Sequence, residues 1–114
     1  MAWLQSVNER ELHIAAVTLG EIQAGIEITR EQDPAKAAEI EVWADELPAF
    51  WNVLSMDHVT FRVWAKFMHR RSSALIEDAM IAATARVHGL QVVTRNVRDF
   101  KEFGVRVMNP YTFR

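Results

Sequence analysis

The sequence has no cysteine, and that absence removes disulfide staples and thiolate metal sites together. Its 114 residues must bury a core by packing alone, which suits a reducing cytoplasm. Three prolines and four glycines punctuate the chain, and no linker, internal repeat or low-complexity segment is visible. No apolar run approaches the ~20 residues of a membrane span, and no signal-peptide pattern opens the sequence. An excess of one charge is also lacking: 13 Lys and Arg stand against 15 Asp and Glu, a net charge of -2. Such a balance does not advertise nucleic-acid binding, although a carboxylate cluster carries local negative charge that a metal ion neutralises. What is present is ordinary globular composition, 50% hydrophobic and 25% charged, in the size range of one domain over residues 1–114.

Trp3, Leu4 and Val7 have helical spacing with nothing before them to start a helix, so the chain reads as opening partway through an element. Leu12–Val17 reads as a buried strand. Thr18 followed by Glu21 matches a capping box, predicting a helix to about Arg30 with Leu19, Ile22 and Ile26 inward. Asp33-Pro34 predicts a second helix start, with Ala37, Ile40, Ala44 and Leu47 as its apolar stripe and Pro48 as its end. Val53–Met56 is strand-like, and Asp57 can cap a helix with Val59, Val63 and Phe67 on one face and Phe61, Trp64 and Met68 beside it. Arg70–Ser73 reads as a loop. Ala74–His88 is the strongest helix, stopped by Gly89. Leu90–Thr94 is a buried strand, Asn96 can cap a short helix through Asp99 and Phe100, and Val105–Met108 is a final strand. Alternating strands and helices, the strands continuous in Val, Ile and Leu, predict an α/β fold: a three-layer α/β/α sandwich with a mainly parallel sheet.

Three acids fall where an open α/β sheet places functional groups, outside the carboxyl ends of its strands. Glu21 lies just past the first strand, Asp99 just past the strand 90–94, and Asp78 near the start of the helix before that strand. Carboxylates brought together repel one another unless a cation joins them. With oxygen ligands only, that cation is hard, Mg²⁺ or Mn²⁺, and such an ion activates water and stabilises a phosphodiester transition state. Each acid also has a structural reading: Glu21 in a capping box, Asp78 against a helix dipole, Asp99 as a solvated turn residue.

Thr18-Leu19-Gly20-Glu21-Ile22 with Gly25-Ile26, Glu77-Asp78-Ala79-Met80-Ile81-Ala82-Ala83-Thr84-Ala85, His88-Gly89-Leu90 and Thr94-Arg95-Asn96-Val97-Arg98-Asp99-Phe100 follow in order, with Asn109-Pro110 after the last strand. This series resembles the successive signatures of VapC-like PIN domains, from about Trp3 to Pro110. The resemblance implies a metal-dependent endoribonuclease toxin of a toxin–antitoxin pair, held in check by a cognate antitoxin protein and often dimeric. Carried over residue by residue, Asp78 is a direct metal ligand, Asp99 binds or orients the metal, and Glu21 holds a metal-bound water or a second ion. Thr94 and Asn96 border the site and orient the acids. The family's opening strand, which ends in Asp-Thr-Asn and supplies the first metal ligand, has no match here. The expectation is therefore a sheet without its first, central strand, a weakened metal site and a tendency to form a homodimer.

Arg62, Lys66, His69 and Arg70 recur at near-helical spacing, and Arg95 and Arg98 flank Asp99. The first group reads first as a solvated helix face and only second as a set of contacts to RNA phosphates, for which Arg95 and Arg98 are the better candidates because they neighbour Asp99. Trp43, Phe50, Trp51 and Trp64 read as core by default, or as a groove for an amphipathic antitoxin segment. The four histidines show no metal-ligand spacing, and Ser and His have no partner arrangement of a nucleophilic hydrolase. A catalytically inactive PIN remnant that binds antitoxin or RNA is the rival reading. A phosphorylation-dependent signalling domain would need a strand-end phosphoacceptor aspartate and a late lysine at a strand end, and neither is present.

Overall fold

The computed structural model describes residues 12–110, which divide into two compact units, residues 12–54 and residues 55–110. The helical spacing of Trp3, Leu4 and Val7 lies outside the described residues. In the first unit β1 (His13–Ala15) runs parallel to β2 (Asn52–Leu54), with Ile14 opposite Val53. Asn52 closes the ladder by donating both its backbone N–H and its side-chain amide to the Leu12 carbonyl, each at 3.0 Å. Two helices make the crossover that a parallel pair requires: α1 (Ala16–Gln32) and α2 (Pro34–Phe50).

Asp33 alone joins those helices. Its side chain accepts from Lys36 N–H at 3.1 Å and Pro34 occupies the first turn, the arrangement expected of an N-cap followed by proline. Ile26, Ala37 and Leu47 are buried, so the expected inner stripes of both helices hold. Gln23 and Arg30 of α1 meet Glu41 of α2 at 2.8 and 2.9 Å along the edge of the hairpin.

Two boundaries differ from expectation. The capping box does not form: α1 begins at Ala16, and Ala15 is an N-cap without a side-chain bond. Ala15 and Ala16 are strong helix formers, so the strand gives way early and Thr18 and Glu21 fall inside the helix. Nor does Pro48 end α2, which continues to Phe50. In a last turn, a proline forfeits one hydrogen bond, and Trp51 N–H still reaches the Leu47 carbonyl at 2.9 Å. The core reading of Trp43 and Phe50 is overturned as well, since they are 52% and 59% exposed.

The second unit contains α3 (His58–Met68), a 3₁₀ turn (Ser73–Leu75), α4 (Ile76–His88), β3 (Val92–Val93), α5 (Val97–Lys101) and β4 (Val107–Met108). Asp57 caps α3 twice, accepting from the Thr60 N–H at 2.9 Å and its hydroxyl at 2.8 Å. Those two hydrogen bonds draw Thr60 fully inward, and the inner row runs from buried Thr60 through half-buried Val63, Trp64, Phe67 and Met68. Val59 and Phe61, expected among the inner residues, point to solvent at 46% exposure each. The alanines of α4 let other elements approach closely: Ala79, Ala82 and Ala85 pack with Val92, Phe100, Phe103 and Val105 in one core. Ala74 and Leu75, expected in α4, form the 3₁₀ turn instead, because the Ser72 hydroxyl and carbonyl capture their N–H groups.

Gly89 ends α4 with φ 66°. Leu90 N–H bonds the Ala85 carbonyl at 2.8 Å and Gly89 N–H the Arg86 carbonyl at 3.3 Å, a Schellman pair. Gly89→Ala is expected to cost about 1 kcal/mol through the left-handed backbone, while Gly89→Asn costs less. Thermal unfolding of both variants measures the difference.

β3 and β4 are parallel, with Val92 opposite Val107 and Val93 opposite Met108. Parallel pairing is thus what both ladders show. The strands are shorter than the sequence suggests, and among the described residues they form two two-stranded ladders where one sheet was expected. Among the described residues, no helix is long and apolar enough to cross a membrane.

Candidate active site

Asp78 stands in the first turn of α4, beside Glu77 and preceded by the 3₁₀ turn. Its neighbours Ala79 and Ala82 are buried to zero exposure, which leaves the carboxyl half-buried at the rim of the core. Asp99 stands on α5, whose next residue, Phe100, is locked into the same core as Ala79. Two adjacent core anchors therefore bring the two acids into each other's field. Burial, then the charge of Asp99, then that of Glu77 hold the Asp78 carboxyl above its ordinary pKa of 3.8.

The loop between β3 and α5 is tied by a relay of hydrogen bonds. Thr94 N–H donates to the Met108 carbonyl at 3.0 Å, extending the β3–β4 ladder. The Thr94 hydroxyl then accepts from Asn96 N–H at 3.0 Å, and the Asn96 side-chain amide donates to Asp99 Oδ2 at 2.8 Å. Asn96 therefore precedes α5 without capping it: its side chain orients Asp99 instead. Arg95 and Arg98, expected beside Asp99, are exposed on the same segment.

Glu21 is an exposed residue of α1 in the other unit. Among the described residues no group of three or more His, Asp or Glu converges to hold a metal. The structure thus puts Asp78 within the electrostatic reach of Asp99 and leaves Glu21 in the other unit. Sequence reasoning missed Glu77 as a contributor to the field at Asp78. It also missed Trp64, whose indole N–H donates to the Ile76 carbonyl at 3.2 Å and ties α3 to the turn that carries Asp78. Glu77 stands in the same signature as Asp78 and was passed over there, whereas Trp64 had no motif to announce it.

A PIN domain profile matches residues 1–105 of this sequence. The chain belongs to the PIN domain family. This PIN domain is 28% identical to the plasmid stability protein StbB of Pseudomonas syringae pv. tomato, over 96% of this chain and 82% of that one. It is 27% identical to toxin FitB of Neisseria gonorrhoeae, over 97% and 84%. Against VapC ribonuclease Y4jK of Sinorhizobium fredii it is 28% identical, over 97% and 83%. Among solved structures, FitAB bound to a DNA fragment superposes with a TM-score of 0.83 at 26% identity, covering 99% of this chain and 82% of that one. FitAcB from N. gonorrhoeae gives 0.78 at 26%, covering 98% and 84%. The fold of this PIN domain is accordingly PIN-like α/β, mostly helical with small parallel sheets.

Proposed function

We propose that this PIN domain is a metal-dependent endoribonuclease toxin, kept inactive by a cognate antitoxin protein and acting on RNA in the cytoplasm. The observation that carries the reading is the Asp78–Asp99 pair, one carboxyl pushed toward its protonated form and the other held by Asn96. The relatives named toxin FitB and VapC ribonuclease support it.

The donor set fits a hard divalent ion. The acids offer only oxygen donors, with no cysteine in the chain and no described histidine cluster, and the charge that Asp99 and Glu77 put on Asp78 is what a cation relieves. Asp78 and Asp99 would hold Mg²⁺ or Mn²⁺, which when bound supplies an activated water and stabilises charge on a phosphodiester. The chain's own part is to hold the two carboxyls ready. Ala79 and Phe100 fix their elements, Asn96 keeps Asp99 turned, and Thr94 fixes Asn96 against β4. For Glu21 the resemblance alone carries the assignment, and Glu21→Gln reads it out. The exposed apolar residues Val42, Trp43 and Phe50 of α2 support a protein partner, either the antitoxin or a second copy in a homodimer.

In the direct test, labelled single-stranded RNA is incubated with the purified chain and Mn²⁺ or Mg²⁺. Cleavage is expected with either ion and is expected to vanish with EDTA. A second reading, a binding module that does not cut, draws on the absence of a three-acid group among the described residues. RNA that is bound but left intact under every metal condition would select it.

A further inference from the structure

Resting on the nuclease reading, we propose that the outward face of α3 is the track on which single-stranded RNA lies beside the acid pair. Arg62 and Lys66 on that face, with Arg70 two residues past its end, would meet its phosphates, and Phe61 would stack against a base. A chain of net charge -2 has no long-range attraction for a polyanion, so affinity must come from a local patch. From His58 to Arg71 the sequence holds Arg62, Lys66, Arg70 and Arg71 and no acid at all. A solvated helix face ordinarily mixes signs, and this one does not.

Three cations of this unit are committed to holding other elements. Arg71 bonds the Glu102 carbonyl at 3.0 Å and covers the Phe103 ring at 4.7 Å. Arg86 donates to the Phe103 and Gly104 carbonyls, and Arg106 to the Gly89 carbonyl at 2.8 Å. Those three hold the fold together. Arg62, Lys66 and Arg70 have no hydrogen-bond or ion-pair partner among the described residues, and all are exposed. Arg62 and Lys66 lie one turn apart on the same row of α3.

Phe61 supplies the second feature. It is a large aromatic at 46% exposure, and it meets Trp64 edge-on with ring centroids 6.1 Å apart. That contact braces the ring and leaves much of it open. Trp64 also bonds the Ile76 carbonyl, two residues before Asp78, so one side chain braces the stacking platform and ties its helix to the acid-bearing turn. An aromatic beside cations suits unpaired bases, which offer their faces, and suits duplexes poorly, since their bases are already stacked.

The test is fluorescence anisotropy of a labelled single-stranded RNA with the full chain in EDTA, where nothing is cut, across a series of salt concentrations. Arg62→Ala/Lys66→Ala is expected to weaken binding about tenfold or more and to lower the salt slope by about 1.4. Phe61→Ala is expected to weaken it about tenfold with the slope unchanged. Lys36→Ala, an exposed cation of α2, is expected to change neither. Circular dichroism of each variant verifies the fold, and Arg62→Lys restores the slope. An unchanged affinity and slope in the double variant overturns the track, as does a wild type that binds no RNA. If the double variant instead loses only an acidic peptide, the face belongs to a protein partner and the proposal falls. If wild type cuts while the double variant binds normally, the track fails and the nuclease stands. If RNA binding depends on α3 but no metal elicits cleavage, the track stands and the nuclease reading fails.

Discussion

Asp78→Asn is expected to lower RNA cleavage by at least about a hundredfold and, in the same protein, to raise its melting temperature at pH 7. The loss follows from charge: an amide keeps the shape of the side chain but cannot hold a divalent cation as a carboxylate does. The gain follows from linkage. Burial and the charges of Asp99 and Glu77 raise the Asp78 pKa above 3.8, so the folded chain binds that proton more tightly than the unfolded chain. The stability contributed by protonated Asp78 is complete below the unfolded pKa and is lost as pH rises through the raised folded value. At pH 7 the carboxylate opposes folding, and asparagine removes the opposition. Asp78 is only half-buried, so screening by solvent limits the gain to on the order of 1–3 °C. The gap should close as pH falls toward 3.8, the ordinary value. Mn²⁺ should reverse the order, because a cation that binds only the folded wild type stabilises it by mass action. Melting curves of both proteins at pH 4 and pH 7, with EDTA and with Mn²⁺, check all three statements. A variant that melts below wild type in EDTA at pH 7 would show that Asp78 serves the fold rather than straining it.

Phe103→Ala is expected to be the most destabilising single change in the unit 55–110. The ring is 3% exposed, lies 5.3 Å from Phe67, and carries the Arg71 guanidinium on its face. Truncation loses the transfer energy of the ring and leaves a cavity among residues already tightly packed, about 3–5 kcal/mol in all. Against a typical domain stability of about 5–15 kcal/mol, that is enough to lower the melting temperature by on the order of 15 °C. Arg71 also loses its aromatic partner and keeps only the Glu102 contacts. Phe103→Leu should recover most of the loss, since it refills the space without restoring the ring contacts. Paired melting curves decide it: a drop of a few degrees in Phe103→Ala would mean that Phe103 does not organise this core.

The parts of this fold that were legible in the sequence are those decided within a few residues. Asp33 with Pro34, Asp57, and Gly89 each act on backbone groups three to five positions away, and each does what local chemistry implies. The parts that were not legible are decided by tertiary neighbours. Val59 and Phe61 satisfy a helical apolar stripe as well as Thr60 does, but the Asp57 cap turns Thr60 inward and rotates them out. Trp43 and Phe50 look like core residues in any composition-based reading, yet α2 buries Ala37 and Leu47 against α1 instead. The same division holds for the site. The acids stand out by position and motif, whereas the pairing of Asp78 with Asp99 depends on Ala79 and Phe100 meeting in one core. Asn96 shows the limit of local reasoning: its place before a helix suggests a cap, and its amide is committed to Asp99.

The relay from β4 to Asp99 makes the alignment of one acid depend on the last described strand. β3 has β4 as its ladder partner, and the bond that seats Thr94 is accepted by Met108. Met108 follows both Asp78 and Asp99 in the chain, so the residue that seats the loop lies beyond the acids it serves. Only when Met108 has joined β4 does Asn96 gain a fixed footing from which to aim Asp99. The two acids are written early, and the segment that aligns them arrives afterwards, so a chain halted between Asp99 and Met108 carries the charges of the site without its geometry.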